Sequence, residues 1–130
     1  MRILPLFFLL YLPIALTAQT VLWQLRDGAV SFLSDAPLEV IGARSGELRG
    51  LIDPKQRTFA FAVTVASFEG FNSPLQREHF NENYLESKRY PQITFKGRII
   101  ERVDLTTAGT YTIRAKGMLN VHGVERERII

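Results

Sequence analysis

The feature that most constrains the fold is a regular alternation of side-chain type in residues 57–66, RTFAFAVTVA. A period of two places successive side chains on opposite faces of an extended chain, whereas a helix would need a spacing of three to four. Asp53 and Pro54, just before this run, are typical of a turn. The run therefore predicts a β-strand with one buried face, formed by Phe59, Phe61, Val63 and Val65.

The same alternation recurs along the chain and predicts a sheet. Further strands are expected at residues 29–36, 39–52, 91–99 and 110–119. Residues 21–25 are a candidate partner for the first of these in an opening hairpin. Strands do not alternate with long helices in this pattern, so the sheet is predicted to be antiparallel rather than parallel.

One segment departs from the strand pattern. Ser73 followed by Pro74 is typical of a helix start, with a capping hydroxyl and a proline at the first helical position. A short helix is expected to continue to Phe80, before Pro91 restarts the sheet. The predicted fold class is therefore all-β with one short helical excursion.

The first eighteen residues have the order of a secretory signal peptide. Arg2 supplies a positive charge, residues 3–16 are uncharged and apolar, and Ala18 is a small residue at a plausible cleavage point. Fourteen residues rise only about 21 Å as a helix, short of a bilayer core of about 30 Å. We expect residues 1–18 to be removed, leaving one domain at 19–130 that is periplasmic or secreted.

Composition excludes several classes of chemistry. The chain has no cysteine, so it has no disulfide, no thiol nucleophile and no lipoprotein attachment site. Sixteen basic residues against thirteen acidic ones give a net charge of only +3, which does not favour nucleic acid. Two histidines and the lack of any known catalytic motif argue against a metal site, a catalytic site or a cofactor. An enzyme is not expected.

Several short motifs resemble the YceI-like family of polyisoprenoid-binding, lipocalin-like proteins. They span roughly residues 29–130, and their order and spacing are more specific than any one of them. The central stretch is residues 75–99, followed by a run similar to the family's G-x-Leu-x-x-His-Gly-Val. The residues that carry the resemblance are Ser31-Phe32, Gly50–Asp53, Arg77-Glu78-His79, Tyr90-Pro91, Ile93-Thr94-Phe95, Gly117, Leu119 and His122-Gly123-Val124.

The resemblance implies a lipocalin-like antiparallel β-barrel that holds an isoprenoid, polyprenyl or quinone-like lipid without catalysing a reaction. Family members continue past the His-Gly-Val motif with further strands, whereas this sequence ends at Ile130. Either the C-terminal strands are missing and the barrel is incomplete or open, or the barrel closes with fewer strands; the first is expected. His122 is expected to mark a bend between strands, with its imidazole bonded to backbone.

Candidate ligand-binding residues follow from the alternation and the resemblance together. Arg77 and His79 are candidate contacts for a lipid headgroup, although a solvated helix face is the alternative explanation of these charges. The apolar candidates could equally pack against one another as core. The predicted cavity wall is Phe32, Phe59, Phe61, Val63, Phe68, Ile93, Phe95, Ile113 and Leu119.

Two other functional classes are compatible with the sequence. An open sheet edge could serve as a protein-interaction module through β-augmentation, or form a homodimer, with no lipid involved. A hydrolase or metal-dependent enzyme built on His79 and His122 is the least favoured, because no reaction suggests itself. An isoprenoid lipid with transient membrane contact remains the favoured partner.

Overall fold

The computed structural model describes residues 17–130, and these residues form seven strands and one short α-helix. The signal-peptide prediction falls mainly on residues 1–16, which lie outside the described residues. The helix is α1 (Pro74–His79). The strands are β1 (Trp23–Gln24), β2 (Gly28–Ala36), β3 (Glu39–Asp53), β4 (Thr58–Thr64), β5 (Gln92–Ile99), β6 (Ala115–Val121) and β7 (Val124–Ile129).

All strand pairs are antiparallel, which confirms the predicted fold class. The strands β3, β4, β5, β6 and β7 lie side by side in chain order, and β1 and β2 both pair with β3. Within residues 17–130 the sheet does not close, so the fold is an open lipocalin-like barrel. The predicted opening hairpin is wrong: Trp23 pairs with Ile52 of β3, because the long β3 offers an edge to both preceding strands.

The strand predicted from the alternation forms as β4, and its odd-numbered side chains are turned inward. Phe59 is 6% exposed and Val63 is 3% exposed. The preceding turn is closed by the Asp53 carboxylate, which accepts hydrogen bonds from the backbone N–H groups of Lys55 and Gln56 at 3.0 and 2.9 Å. We call the sheet face that carries Phe59 and Val63 the inner face, and the opposite one the outer face.

The strand predicted at residues 110–119 begins only at Ala115, so Tyr111 and Ile113 lie in a loop. Local hydrogen bonds replace strand pairing here. The Tyr111 hydroxyl donates to the Thr107 carbonyl at 2.6 Å, and the Arg114 backbone N–H donates to the Glu101 carboxylate at 2.6 Å. Alternation alone cannot reveal such competing side-chain partners.

The ion pair between Glu101 and Arg114 predicts that this loop is sensitive to acid. The Arg114 side chain and backbone donate to its carboxylate, which lowers the pKa of Glu101 below the ordinary value of 4.5. A carboxyl with a lowered folded pKa stabilises the fold above its unfolded pKa and loses that effect as pH falls through the folded value. We expect Glu101→Gln to be less stable than the parent at pH 7 and to lose less stability on acidification below about pH 4.5.

Urea unfolding at a series of pH values measures this difference. Glu82→Gln, which removes an exposed carboxylate elsewhere, serves as the control. If the free energy of unfolding changed with pH in the same way for the parent and for Glu101→Gln, the expected role of this ion pair would be contradicted.

The short helix begins as predicted and anchors the segment between β4 and β5. The Ser73 hydroxyl accepts from the Gln76 backbone N–H at 3.1 Å, which caps the first turn. The buried Gln76 side chain donates to the Glu39 carboxylate at 2.8 Å and accepts from the Asn72 backbone N–H at 2.9 Å. The helix is thereby tied to the β2–β3 hairpin, and a wider helical turn at Phe80–Tyr84 continues from it.

Candidate functional site

A largely apolar cavity lies between the inner face and the helical segment that follows β4. Its volume is about 640 Å³. Among the described residues that line it, one, Glu39, has a carboxylate, which is already hydrogen-bonded by Gln76, and none is Lys, Arg or His. The lining residues are Val30, Ser31, Phe32, Ser34, Leu38, Glu39, Ile41, Val63, Phe68, Phe80, Tyr84, Leu85, Ile93, Leu119, Val121 and Ile130.

Aromatic stacking builds the wall where the helical segment meets the sheet. Phe80 follows α1 directly and is 5% exposed. Its ring lies 5.3 Å from Phe32 of β2 in a stacked arrangement, and 4.9 Å from Phe71. Phe68 meets both Phe32 and Phe80 edge-on, at 5.3 and 5.9 Å. Such pairs are favourable beyond the area that they bury, so this wall is held in one arrangement.

Five of the nine predicted wall residues border this cavity: Phe32, Val63, Phe68, Ile93 and Leu119. Three others pack together on the same sheet face, beyond the cavity lining. The ring of Phe59 lies 5.1 Å from Phe61 and 5.0 Å from Phe95. Ile113 lies in the loop before β6 and is not among the cavity lining. Ligand contact by any of the nine stays a prediction.

The two candidate headgroup residues lie on α1, away from the cavity lining. Arg77 is exposed, and its guanidinium donates to the Ala66 carbonyl at 3.3 Å. It borders a separate shallow groove with Glu69 and Glu78. His79 is half-buried at the end of the helix. A headgroup role for Arg77 or His79 also stays a prediction.

A second contact joins the last hairpin to the helical segment. His122 lies at the turn between β6 and β7, as predicted, but its imidazole bonds the Glu86 carboxylate at 2.5 Å rather than backbone. Both residues have a positive φ, and the ring of Tyr90 packs edge-on against His122 at 4.8 Å. This contact holds β6, which carries Leu119 and Val121, beside the segment that carries Leu85.

Several cavity residues were missed by sequence reasoning. Val30 and Ser34 share the period of two with Phe32, so the alternation of β2 could have located them. Leu38 lies in the turn between β2 and β3 and is fully exposed, and no periodic signal marks it. Phe80 and Leu85 lie on irregular helical turns, where neither a helical nor a strand period applies.

Two further observations concern chemistry and membranes. The described part of the chain holds no group of three or more His, Asp or Glu side chains placed to bind a metal ion. Among residues 17–130, no helix is both long and apolar enough to span a bilayer.

Comparison with known proteins decides the family. Residues 31–129 match the model of the YceI-like domain. The chain belongs to the YceI-like family. This is a family of binding proteins, and its members commonly bind polyisoprenoids. The match runs from residue 31, inside β2, to the end of β7.

Solved structures of YceI proteins are similar to this chain at low identity. A crystal structure of the Campylobacter jejuni YceI protein, with large solvent channels for nanotechnology applications, has 13% identity and a TM-score of 0.46. A cysteine mutant with a monobromobimane guest has 14% identity and a TM-score of 0.45. The alignments cover 95% of this chain and 58% of each of those chains. TM-scores this low support no conclusion, so the family assignment rests on the domain match. No curated protein matches the chain.

Proposed function

We propose that this YceI-like protein is an exported, non-catalytic carrier that holds an isoprenoid or polyprenyl-type lipid in its apolar cavity. The observation that carries the proposal is the cavity of about 640 Å³, lined mainly by aliphatic and aromatic side chains. Pockets that bind small molecules commonly measure about 300–1,000 Å³. Export is proposed from the order of charged, apolar and small residues in residues 1–18.

The chemistry of the lining favours an apolar chain over a polar ligand. Each methylene group moved from water into such a site contributes about 0.8 kcal/mol, so a chain of several isoprene units binds without a polar anchor. Glu39 would repel an anionic group placed inside, since the side-chain partner of its carboxylate among residues 17–130 is the neutral Gln76 amide. We therefore propose that the lipid tail, rather than its headgroup, occupies the cavity. A neutral quinone-like ring is also compatible with this lining.

Native mass spectrometry tests the proposal. The protein is expressed from the full sequence in a bacterial host, purified without detergent and ionised under gentle conditions. We expect a population whose excess mass matches an isoprenoid lipid, and a protein mass that shows removal of residues 1–18. The lipid is identified by organic extraction of the same sample.

Two results would contradict the proposal. An empty monomer that also fails to take up added polyprenyl lipid would show that the cavity holds no such ligand. An empty dimer would favour the alternative in which strands pair across the open sheet edge.

A further inference from the structure

The outer face of the sheet, opposite the cavity, carries a concentrated positive charge. Lys96 and Arg98 alternate along β5 with the inward-facing Phe95 and Gly97, and therefore project outward. They line a shallow groove of about 590 Å³. Five of the sixteen basic residues border this groove with one acid, Glu127; the five are Arg57, Lys96, Arg98, Arg102 and Lys116. We call these five residues the basic face.

The strand register places like charges directly beside each other. Arg98 of β5 pairs with Lys116 of β6, and Lys96 pairs with Met118. Like charges directly opposite each other in a sheet are destabilising. Lys116 has one partner, the Glu127 carboxylate at 3.2 Å. In the part of the chain that the structure describes, none of the other four basic-face residues forms a salt bridge.

Exposed apolar side chains lie among these cations. Met118 is 43% exposed beside Lys96, and Leu51 is 46% exposed on the same row of paired residues. Ile129 pairs with Lys116 and is 59% exposed. Cations interleaved with apolar groups complement a surface that is anionic outside and apolar beneath. An anionic lipid surface has that chemistry, whereas duplex DNA would leave the apolar side chains unmatched.

We infer that the basic face docks the protein on membranes that contain anionic phospholipid. Docking would place a lipid carrier beside the bilayer that supplies or receives its lipid, so this inference builds on the proposed function. The cavity lies on the other face of the sheet and shares no lining residue with the groove, so contact of the basic face with headgroups leaves the cavity lining uncovered. Binding is expected to weaken with ionic strength, because exposed charges are screened.

Co-sedimentation with vesicles tests the inference on the protein as purified. Vesicles of phosphatidylglycerol and phosphatidylcholine are compared with vesicles of phosphatidylcholine alone. We expect binding only to the first, and a partition coefficient about 25-fold lower for Lys96→Gln with Arg98→Gln, since each basic residue near an anionic surface contributes about fivefold. The control is Arg26→Gln with Lys88→Gln, which removes the same charge from exposed positions outside the groove.

Three results would overturn the inference. An equal loss of vesicle binding in the two double variants would show an effect of net charge alone. Binding that does not depend on phosphatidylglycerol would remove the anionic surface as the partner. Loss of vesicle binding in inorganic phosphate, but not in chloride at equal ionic strength, would show a site for single phosphate ions instead.

The outcome is separable from that of the proposed function. The mass of bound lipid is measured for the parent and for both double variants, and the outer-face substitutions are expected to leave it unchanged. A protein that binds vesicles but carries no lipid would refute the carrier function alone. A protein that carries lipid but ignores anionic vesicles would refute the docking alone.

Discussion

Ser34→Trp is expected to empty the cavity of lipid while leaving the protein folded. Ser34 lies on β2, is exposed and borders the cavity, so an indole at this position can extend into space that is otherwise open. Displacing about four methylene groups of a bound chain would remove about 3 kcal/mol, or roughly 200-fold in affinity. The measurement is the fraction of protein that carries lipid in native mass spectrometry, followed by uptake of added polyprenyl lipid.

The matched control is Leu33→Trp. Leu33 is the neighbouring residue on the same strand, is 73% exposed and is not among the cavity lining. Because successive strand side chains project from opposite faces, its indole would remain outside. Equal lipid retention in Ser34→Trp, Leu33→Trp and the parent would exclude this cavity as the binding site.

Phe80→Ala is expected to be strongly destabilising. The Phe80 ring is buried against Phe32, Phe68 and Phe71, so its removal leaves a void that these neighbours cannot fill. Truncation of a buried phenylalanine to alanine costs about 3–5 kcal/mol. Small domains are stable by only about 5–15 kcal/mol in total. Urea unfolding followed by circular dichroism measures the change in the free energy of unfolding.

Leu75→Ala serves as the comparison for this prediction. Leu75 lies on α1, close to Phe80 along the chain, but is 59% exposed. Its truncation is expected to change the free energy of unfolding by less than about 1 kcal/mol. A similar decrease in the free energy of unfolding for Phe80→Ala and Leu75→Ala would show that the aromatic wall does not stabilise the fold.

The strand β4 shows why alternation predicts part of this sheet well. The strand β4 is paired with β3 and β5, and its inward side chains meet a core, so period and burial agree. The stretch before β6 also alternates, yet Glu101 and Thr107 accept its hydrogen bonds and hold it as a loop. The pairing of β1 with β3 rather than β2 depends on a register that no local pattern specifies.

The candidate site was predictable only in part, for a physical reason. Alternation identifies which side chains face inward, but it does not distinguish those that pack together from those that border a space. Phe61 and Val63 have the same period, yet Phe61 stacks on Phe59 while Val63 borders the cavity. That division depends on where the segment after α1 crosses the sheet, which is set by contacts such as Gln76 with Glu39.

The cavity lining extends from Val30 to Ile130 along the chain. A protein is synthesised from its N-terminus, so the first wall emerges well before β6 and β7 can join it. The contact of His122 with Glu86, which are 36 residues apart, forms only at that late stage. Any ligand that depends on both walls can therefore be captured only after β6 has joined the sheet. Until then, Phe32 and its neighbours present an apolar surface that a folding helper could cover.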